Sequence, residues 1–476
     1  MIQMTIPHVS GLPLLGNTLE FRYDRLNLFR RTHHECGDLG AFTFGPWSVV
    51  LLNSPEHVRT VLVDHADQIE RPRRLCAVLE PFIGNGLLNS DGTFHKRQRK
   101  LVAPAFQRHH VTVYADVMLA YAERIQATWA DGTTIDIAQE MLRLTMGIAG
   151  KTFFDADVLE EARELATALN TALHHIVHRS TSLVHLVVAW PSQRERTFRR
   201  AIARLDATIY RLIRERHQSS VAHEDLLSLL LHARDDDAGT VMTDRQVRDE
   251  AMTLFFAGHE TMATALAWTW YLLARHPEIY GRMCAEVDDV LAGRPPTPAD
   301  LPMLPYTLQV FKEAMRLYPP VYILMRTVRH PIQVGRYELT PGTNVGVSPY
   351  VLHRRADHFA DAEHFDPDRF APESEARLPR YAYLPFGAGP HSCLGNHFAL
   401  LEGHLILAAL TQRVTFDLVA GQFIEPEPVV TLRPKGGIKV VVRRRAPGVG
   451  GGRASGAGLP STRPPSGPPR SAPPPA

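Results

Sequence analysis

Residues 384–403 read LPFGAGPHSCLGNHFALLEG, a glycine-rich loop that passes through a single cysteine, Cys393, into an apolar segment. Gly387 and Gly389 allow backbone angles that a side chain would forbid, and Pro390 stiffens the loop before the cysteine. Beyond the cysteine, apolar residues recur at helical spacing, which predicts a helix. A cysteine just before a helix N-terminus meets free backbone N–H groups and the positive end of the helix dipole, and both favour its thiolate form.

The rest of the sequence narrows what this thiolate could do. Zinc and iron–sulfur sites need clustered ligands, whereas the chain has no CxxC pair, and Cys36, Cys76 and Cys284 lie far away in sequence. A nucleophilic cysteine would want a partnered base, and His391 is held two residues away on the same loop. Axial ligation of a haem iron remains, because the glycines would let a porphyrin approach the loop closely. A buried structural cysteine beside a turn would leave the same short motif, so the loop alone leaves both interpretations open.

Composition argues against several classes of protein. Of the 476 residues, 45% are hydrophobic, enough for a substantial core, and the formal net charge of +2 gives no argument for nucleic acid as a partner. Four scattered cysteines do not suggest a disulfide scaffold, so we expect a reducing, cytoplasmic location. No apolar run approaches the roughly 18 residues that span a bilayer. Residues 1–16 lack the pattern of a secretory signal, so we expect a soluble protein without a membrane anchor.

Residues 91–106 predict a basic helix, on which His95 and Arg99 are four apart and share one face. Further basic side chains lie close by: Lys96, Arg97, Lys100 and Arg108. A solvated basic helix would account for this pattern by itself. If a porphyrin lies against the cysteine loop, its two propionates would need cationic or hydrogen-bond-donating partners, and the face with His95 could supply them.

The longest predicted helix begins at a capping box, Thr243-x-x-Gln246, and stops before Pro277. At about 1.5 Å per residue its length would be about 50 Å, enough to cross a domain. One face of its middle carries four residues of which all but the first are small or hydroxylated: Leu254, Ala257, Gly258 and Thr261. Tight helix packing at the glycine, with a threonine that bonds back to the backbone, would explain this face. The alternative is a local opening of the helix in which dioxygen can sit above an iron.

Shorter segments complete the predicted outline. Residues 22–36 predict a helix, and residues 75–88 an apolar segment that Pro81 and a Gly-Asn-Gly run break into a loop. Residues 334–340 and 343–348 predict two short strands around a Pro-Gly turn.

In order along residues 7–445, the motifs resemble those of the cytochrome P450 family. They are His95-x-x-x-Arg99, Ala257-Gly-x-Glu260-Thr261, Glu313-x-x-Arg316, Asp366-Pro-x-Arg369-Phe and Phe386-x-x-Gly-x-x-x-Cys393-x-Gly395. Their joint occurrence is far more specific than any one of them. The resemblance implies a mainly α-helical haem-thiolate fold with a small β region, and haem b (iron protoporphyrin IX) as the cofactor. It implies a monooxygenase that inserts one atom of O2 into a hydrophobic small molecule, such as a terpenoid, fatty acyl or polyketide-like substrate.

The resemblance also implies roles for individual residues. Cys393 would ligate the iron, in a loop completed by Phe386 and Gly395. Thr261 and Glu260 would deliver protons to the distal oxygen. The propionates would be held by His95, Arg99, Arg326 and His391. The substrate pocket would be lined by Leu254 and Ala257, and a buried structural network would be formed by Glu313, Arg316 and Arg369.

Two positions depart from the usual family pattern. His391 stands where many members carry an arginine. Met262 stands where many members carry a second threonine or serine, a departure to which we attach little weight. A peroxide-driven peroxygenase, an isomerase that needs no electrons, and a haem-binding sensor or storage protein are alternatives. The intact Glu260-Thr261 pair argues against them.

Electrons must reach such an enzyme from elsewhere, since no flavin or nicotinamide module fits after residue 445. The resemblance implies a ferredoxin-type donor with its reductase, and the outward-pointing Lys96, Arg97 and Lys100 would offer it a basic rim. It also implies that the loop at residues 75–88 and the helices flanking residues 180–193 cover the substrate. We expect one catalytic domain over residues 1–446 and a disordered Pro-, Gly- and Ser-rich tail over residues 447–476.

Overall fold

The computed structural model describes residues 5–181, 192–220, 223, 225–233 and 241–445. The α-helices within these ranges are α1 (Thr18–Tyr23), α2 (Arg25–Cys36), α3 (Pro55–Arg59), α4 (Arg73–Ile83), α5 (Gly92–Val102), α6 (Arg108–Val113), α7 (Ala115–Gln126), α8 (Ile137–Phe154), α9 (Ala162–Thr181), α10 (Gln193–Gln218), α11 (Leu226–His232), α12 (Asp244–Arg275), α13 (Pro277–Leu291), α14 (Pro305–Leu317), α15 (Pro349–Leu352), α16 (Pro372–Glu375) and α17 (Asn396–Thr411).

The strands are short and form a minor part of the same ranges. They are β1 (Leu39–Phe44), β2 (Trp47–Leu52), β3 (Ile69–Glu70), β4 (Thr134–Asp136), β5 (Leu324–Val328), β6 (Ile332–Val334), β7 (Tyr337–Leu339), β8 (Asn344–Val347), β9 (Val414–Leu418), β10 (Pro426–Pro428), β11 (Leu432–Pro434) and β12 (Lys439–Arg444). The fold is therefore mainly α with a small β region, as the sequence predicts.

The largest sheet has five strands in the order β1-β2-β8-β5-β3. Its β1–β2 hairpin and its β5–β8 and β3–β5 pairs are antiparallel, whereas β2 and β8 are parallel. A three-stranded sheet has the order β4-β12-β9, and β6–β7 and β10–β11 are separate hairpins. The five-stranded sheet thus joins the N-terminal part of the chain to the segment that precedes the cysteine loop.

Helix α12 packs against α4, α8, α10, α14 and α17 and is buried around most of its circumference. Thr243 is its N-cap: its hydroxyl accepts from the Gln246 N–H at 3.3 Å, and Gln246 Oε1 accepts from the Thr243 N–H at 2.9 Å. This confirms the predicted capping box. Near the middle of the helix, Gly258 lies so close to α8 that an added Cβ would come within 2.6 Å of the Phe153 ring. The glycine therefore serves close packing between α8 and α12.

The prediction of a loop over residues 75–88 is wrong for most of that segment. Helix α4 covers its first part, because apolar residues recur there at helical spacing and Pro81 falls on the exposed face of the last turn. The predicted helix over residues 22–36 is interrupted. Asp24, with φ of −149°, ends α1 and is the N-cap of α2, so a short helix precedes the long one.

The prediction of one strand over residues 334–340 is also wrong. Gly335 has φ of +56°, a left-handed conformation that favours glycine, and it turns the chain between β6 and β7. The segment is therefore a hairpin, while the second predicted strand, residues 343–348, corresponds to β8.

Two predictions fall wholly or partly on parts of the chain that the structure leaves out. Helices α9 and α10 flank the predicted roof segment, and residues 182–191 of that segment lie outside the described residues. The predicted tail over residues 447–476 also lies outside them. Among the helices that are described, none is both long and apolar enough to cross a membrane.

Candidate active site

The cysteine loop is folded tightly onto the protein. The Cys393 N–H donates to the Phe386 carbonyl at 2.8 Å, which closes the loop. Gly389 has φ of +71°, and a Cβ there would collide with the Leu62 carbonyl oxygen. Gly395 is the N-cap of α17, and its backbone N–H is directed at the thiol of Cys393. The cysteine therefore lies at a helix N-terminus on a loop that only glycine could form.

The Cys393 side chain is open to a cavity of about 1010 Å³. Much of the cavity wall is apolar and includes Phe256, Ala257, Met262, Ala265, Phe386 and Ala399. The pKa of the Cys393 thiol is raised overall, because the effect of burial exceeds the lowering by the Gly395 N–H and the positive charge of Arg99. An apolar cavity with a thiol in its wall suits a flat, apolar, metal-bearing cofactor.

Five basic side chains meet beside the cysteine loop: Arg71, His95, Arg99, Arg326 and His391. The imidazole rings of His95 and His391 lie 4.0 Å apart between centroids. Arg71 Nη2 lies 3.2 Å from His391 Nδ1, and Arg99 Nη1 donates to the Ser392 carbonyl at 2.8 Å. Arg71, Arg326 and His391 line the cavity, and all five side chains lie on or next to its wall.

Positive charge is in excess at this cluster. Burial and the neighbouring guanidinium groups lower the pKa of His391 to about 2 and that of His95 to about 4, so both rings are neutral at physiological pH. Burial, with the charge of Arg71, lowers the pKa of Arg326 to about 10. Arg326 Nε is buried without a hydrogen-bond partner among the described residues. A ligand that carries carboxylates at this end of the cavity would balance the charge, so the cluster fits the two propionates of haem.

The middle of α12 forms another part of the cavity wall. The Thr261 hydroxyl donates to the Ala257 carbonyl at 2.8 Å, and both residues line the cavity. The α-helix is continuous through this point, so the predicted opening is not a break in the helix. Leu254 lies outside the cavity wall and is buried in the main hydrophobic core, so the geometry does not support its predicted role in the pocket.

Glu260 is buried and faces away from the cavity. Its Oε1 accepts from the Thr431 hydroxyl at 2.7 Å and from Arg433 Nε at 2.5 Å. Burial by itself would raise the pKa of Glu260, but Arg433, His259 and the Thr431 hydroxyl favour the carboxylate, and the net shift is downward. The predicted proton-delivering pair is therefore divided in the structure: Thr261 is on the cavity wall, and Glu260 is behind it.

The predicted structural network is assembled. Arg316 Nε and Nη2 donate to the two carboxylate oxygens of Glu313 at 2.6 and 2.7 Å, and both side chains have no solvent exposure. Arg316 Nη1 also donates to the carbonyl oxygens of His353 and Ala362 at 2.7 Å each. Arg369 Nε lies 3.5 Å from the Glu313 carboxylate. These contacts join α14 to the segment that leads into the cysteine loop.

The profile of the family described as Cytochrome P450 matches residues 7–441. The chain belongs to the cytochrome P450 family. It is 38% identical over 425 residues to cyclooctatin synthase of Streptomyces melanosporofaciens, and the matched region covers 89% of this chain and 92% of that protein. It is 32% identical over 441 residues to pentalenene oxygenase of Streptomyces avermitilis, and the matched region covers 92% of this chain and 97% of that protein. Among solved structures, the cytochrome P450DA heme domain matches with a TM-score of 0.85 and 26% identity, over 94% of this chain and 99% of that one.

As a P450 monooxygenase, the protein binds haem b and uses O2, a substrate and a redox partner. When bound, the haem supplies the iron that activates O2. The geometry would let Cys393 hold that iron and the cluster around His391 hold the propionates, while the apolar wall excludes water.

Three residues that the structure brings to the site escape the sequence motifs. Arg71 lies immediately before α4, and its backbone N–H donates to the Asp91 carboxylate at 2.7 Å, which fixes it beside the haem loop. Thr431 lies immediately before β11 and Arg433 lies within it, 171 and 173 residues from Glu260. A buried acid in α12 implies a positively charged partner elsewhere in the fold, but nothing in the sequence says which of the many arginines supplies it.

Proposed function

We propose that the protein hydroxylates a terpenoid, with electrons from a ferredoxin-type donor. The observation that carries this proposal is the apolar cavity of about 1010 Å³, with Cys393 and Thr261 both on its wall. The names of relatives support the substrate class: cyclooctatin synthase, cyclooctat-9-en-7-ol 5-monooxygenase and pentalenene oxygenase. The part of this cavity that the haem would leave free is walled mainly by apolar side chains and suits a rigid hydrocarbon skeleton, since few hydrogen bonds are offered to the ligand.

The substrate would lie against apolar side chains from five parts of the chain. They include Leu79 on α4, Leu88, Ile176 on α9, Phe256 and Met262 on α12, and Val430. Burial of a hydrocarbon against such a wall is favourable by about 25 cal/mol per Å² of apolar surface removed from water. Ring systems lose little conformational entropy on binding, which favours a polycyclic terpenoid over a flexible fatty acyl chain of equal carbon number.

The residues would take the following parts. Cys393 would ligate the iron, within the loop of Phe386 and Gly395, and its thiolate would supply negative charge to the haem. The propionates lie against the cluster of Arg71, His95, Arg99, Arg326 and His391. Thr261 would present its hydroxyl to the cavity, and Glu260 would supply the proton. Ala257 lies on the substrate side of α12, while the network of Glu313, Arg316 and Arg369 stabilises the fold.

The surface of α5 supports the proposal of a ferredoxin-type electron donor. Lys96 and Lys100 are exposed, as is Arg108 at the start of α6, whereas His95 is buried and Arg99 reaches the Ser392 carbonyl on the cysteine loop. Exposed positive charge beside the cysteine loop would attract a small acidic protein such as a ferredoxin, mainly by raising its association rate. Such a donor would place the reaction in the cytoplasm.

A substrate panel tests the proposal. The purified haem protein is titrated with polycyclic terpene alkenes, with their monohydroxylated derivatives, and with fatty acids of equal carbon number. Binding is recorded as the shift of the haem Soret band that accompanies the displacement of water. Compounds that bind are then incubated with a ferredoxin, its reductase and isotopically labelled O2. We expect the terpenoids to bind most tightly and to gain one labelled oxygen atom. Tight binding and oxidation of fatty acids, with no terpenoid product, would overturn the substrate class.

A further inference from the structure

The carboxylate of Glu260 is joined to two residues from a different part of the fold. Glu260 is on α12, whereas Thr431 and Arg433 flank Leu432 at the start of β11. Both donate to the same oxygen, Oε1, and the second oxygen, Oε2, is buried without a hydrogen-bond partner among the described residues. Glu260 has a relative exposure of only 1%. Its carboxylate is therefore stabilised by these two residues.

The segment that carries the two donors is fixed on both sides. Trp268 Nε1 donates to the Leu432 carbonyl at 2.7 Å, and the Leu432 N–H donates to the Pro320 carbonyl at 3.0 Å. Alternate residues of an extended segment point to the same side, so Thr431 and Arg433 both face α12. The contact with Glu260 is thus built into the packing of β11 against α12.

The two donors connect Glu260 to different surroundings. Arg433 is partly exposed, and its Nη1 donates to Oδ1 of the exposed Asn170 on α9 at 2.8 Å. Thr431 is one of the residues that line the cavity, next to Val429 and Val430, whereas Glu260 is not. The chain of contacts therefore runs from the protein surface through Arg433 to Glu260, and from there through the Thr431 hydroxyl to the cavity.

We propose that Thr431 and Arg433 are positioning residues for proton delivery: together they hold Glu260 behind the cavity wall, linked through Arg433 to the protein surface and through the Thr431 hydroxyl to the cavity. The proposal rests on the proposed role of Glu260 as the proton source. A hydroxyl can donate and accept at once, so Thr431 can relay a proton as well as hold the carboxylate.

The proton steps balance as follows. When the contact with Arg433 opens, the Glu260 carboxylate takes one proton from solvent, and Arg433 keeps its own charge throughout. Glu260 then gives that proton to the oxygen of the Thr431 hydroxyl, while that hydroxyl's own proton passes to an oxygen acceptor in the cavity. The carboxylate, again negative, returns to Arg433. The groups that face Glu260 in this cycle are Arg433, His259 and Thr431.

Thr431 is tested by a pair of substitutions with a matched control. Thr431→Val removes the hydroxyl at nearly constant volume, and Thr431→Ser restores it. Thr269→Val, on the same helix as Glu260, removes a buried hydroxyl that donates only within the helix, to Ala265 at 2.7 Å. For each protein we measure substrate affinity by spectral titration, product formed per electron pair consumed, and the solvent isotope effect on product formation.

We expect Thr431→Val to lower the product yield per electron pair several-fold and to raise the solvent isotope effect, with Thr431→Ser and Thr269→Val close to the parent protein. If Thr431→Val changes only substrate affinity, the residue is part of the pocket wall and the proposal is overturned for it. A loss that Thr431→Ser does not restore would have the same meaning.

Arg433 is tested without turnover. Burial would raise the pKa of Glu260 once the charge of Arg433 is removed, so Arg433→Gln should leave Glu260 protonated at neutral pH. We compare Arg433→Gln with the double variant that also carries Glu260→Gln. The C=O stretch of a protonated carboxyl should appear in the infrared difference spectrum of these two proteins. It should be absent from the spectrum of the parent protein minus Glu260→Gln. Haem content and the melting temperature show whether each variant is folded.

Arg433→Lys keeps the charge, so we expect Glu260 to remain ionised in it, which serves as the second variant if Arg433→Gln does not fold. In the parent and in Arg433→Lys, a protonated Glu260 would overturn the proposal. Because the infrared measurement needs no substrate, a failure of the terpenoid assignment leaves it untouched, and the two ideas fail separately.

Discussion

Arg71 Nη2 lies 3.2 Å from Nδ1 of His391, a residue 320 positions further along the chain. Two further contacts hold the arginine in place: its Nε donates to the Ser90 carbonyl at 3.2 Å, and its backbone N–H donates to Asp91 at 2.7 Å. Burial lowers the pKa of Arg71, which the charge of Asp91 partly offsets. His391 is neutral, so where many family members carry an arginine on the cysteine loop, this chain supplies a positive charge from the residue that follows β3.

We therefore expect Arg71→Ala to weaken haem binding. The variant should be purified with a lower haem content and should lose haem several-fold faster to an excess of a haem-scavenging protein, because a charge-assisted contact to a propionate is removed. Arg73→Ala is the matched control, since Arg73 lies two residues away with 90% of its side chain exposed. Equal rates of haem loss from Arg71→Ala and the parent protein would contradict the assignment.

The axial ligand is tested by spectroscopy. With carbon monoxide, the reduced protein should show the red-shifted Soret band of a thiolate-ligated haem, because Cys393 lies in the cavity wall on the glycine-rich loop just before α17. Cys393→Ser should lose that band. Cys76→Ser is the control, because Cys76 also lines the cavity but lies on α4, away from the glycine loop. A band that survives in Cys393→Ser would exclude Cys393 as the ligand.

Thr261→Ala should keep haem and substrate binding, since the hydroxyl donates only to the Ala257 carbonyl within the helix. Its removal should disorder the delivery of protons to O2, so that electrons end in peroxide or water. General acid catalysis contributes about 10²- to 10⁴-fold to a rate, so a clear fall in product per electron pair is expected. Thr269→Ala controls for the loss of a threonine from the same helix. Unchanged coupling in Thr261→Ala would remove this residue from the mechanism.

The buried pair of Glu313 and Arg316 should be essential for stability. Arg316→Met would leave the Glu313 carboxylate without its main partner in a site with no solvent exposure. Breaking one side of a buried ion pair costs about 3–5 kcal/mol. Arg199→Ala breaks the exposed pair of Arg199 and Glu195 on α10, for which about 0–1 kcal/mol is expected. Urea unfolding followed by circular dichroism measures both, and similar losses in the two variants would contradict the distinction.

The sequence predicts best those contacts that depend on helix geometry alone. Thr243 with Gln246, and Glu313 with Arg316, lie three residues apart, and the structure brings both pairs together. Consecutive helical residues point about 100° apart, since a turn holds about 3.6 residues. That geometry also accounts for Thr261 on the cavity wall with Glu260 behind it.

Other features depend on how distant segments meet. The helical period identifies the face of α12 that meets the cavity, but it does not show where along the helix the cavity ends. For this reason the sequence predicts Leu254 in the pocket, whereas the structure places it in the hydrophobic core. The partners of Glu260 and His391 come from segments that pair with them only in the folded chain. Arg71 and Arg433 carry no motif of their own, and 52 lysine and arginine residues compete for those roles in the sequence.

Helix α5 should also determine how the electron donor binds. His95 is buried and Arg99 contacts the cysteine loop, while Lys96 and Lys100 on the same helix are exposed; Arg97, which was also expected to point outward, is half-buried. An acidic ferredoxin that approaches this surface is attracted over roughly the Debye length, which falls from about 10 Å at 0.1 M salt to about 3 Å at 1 M. We therefore expect the first electron transfer from a ferredoxin to slow as salt is raised.

Lys96→Glu with Lys100→Glu should slow that transfer at low salt and reduce its dependence on salt, because reversed charge repels the donor. Arg336→Glu with Lys435→Glu changes the net charge equally at two exposed positions on other elements and should have a much smaller effect. Stopped-flow absorbance of the reduced carbon monoxide complex measures the rate. Turnover driven by peroxide needs no donor, so it should be nearly the same in all three proteins. If the α5 variant loses peroxide-driven turnover as well, the substitutions have disturbed the haem site, and the slower electron transfer no longer indicates a docking surface.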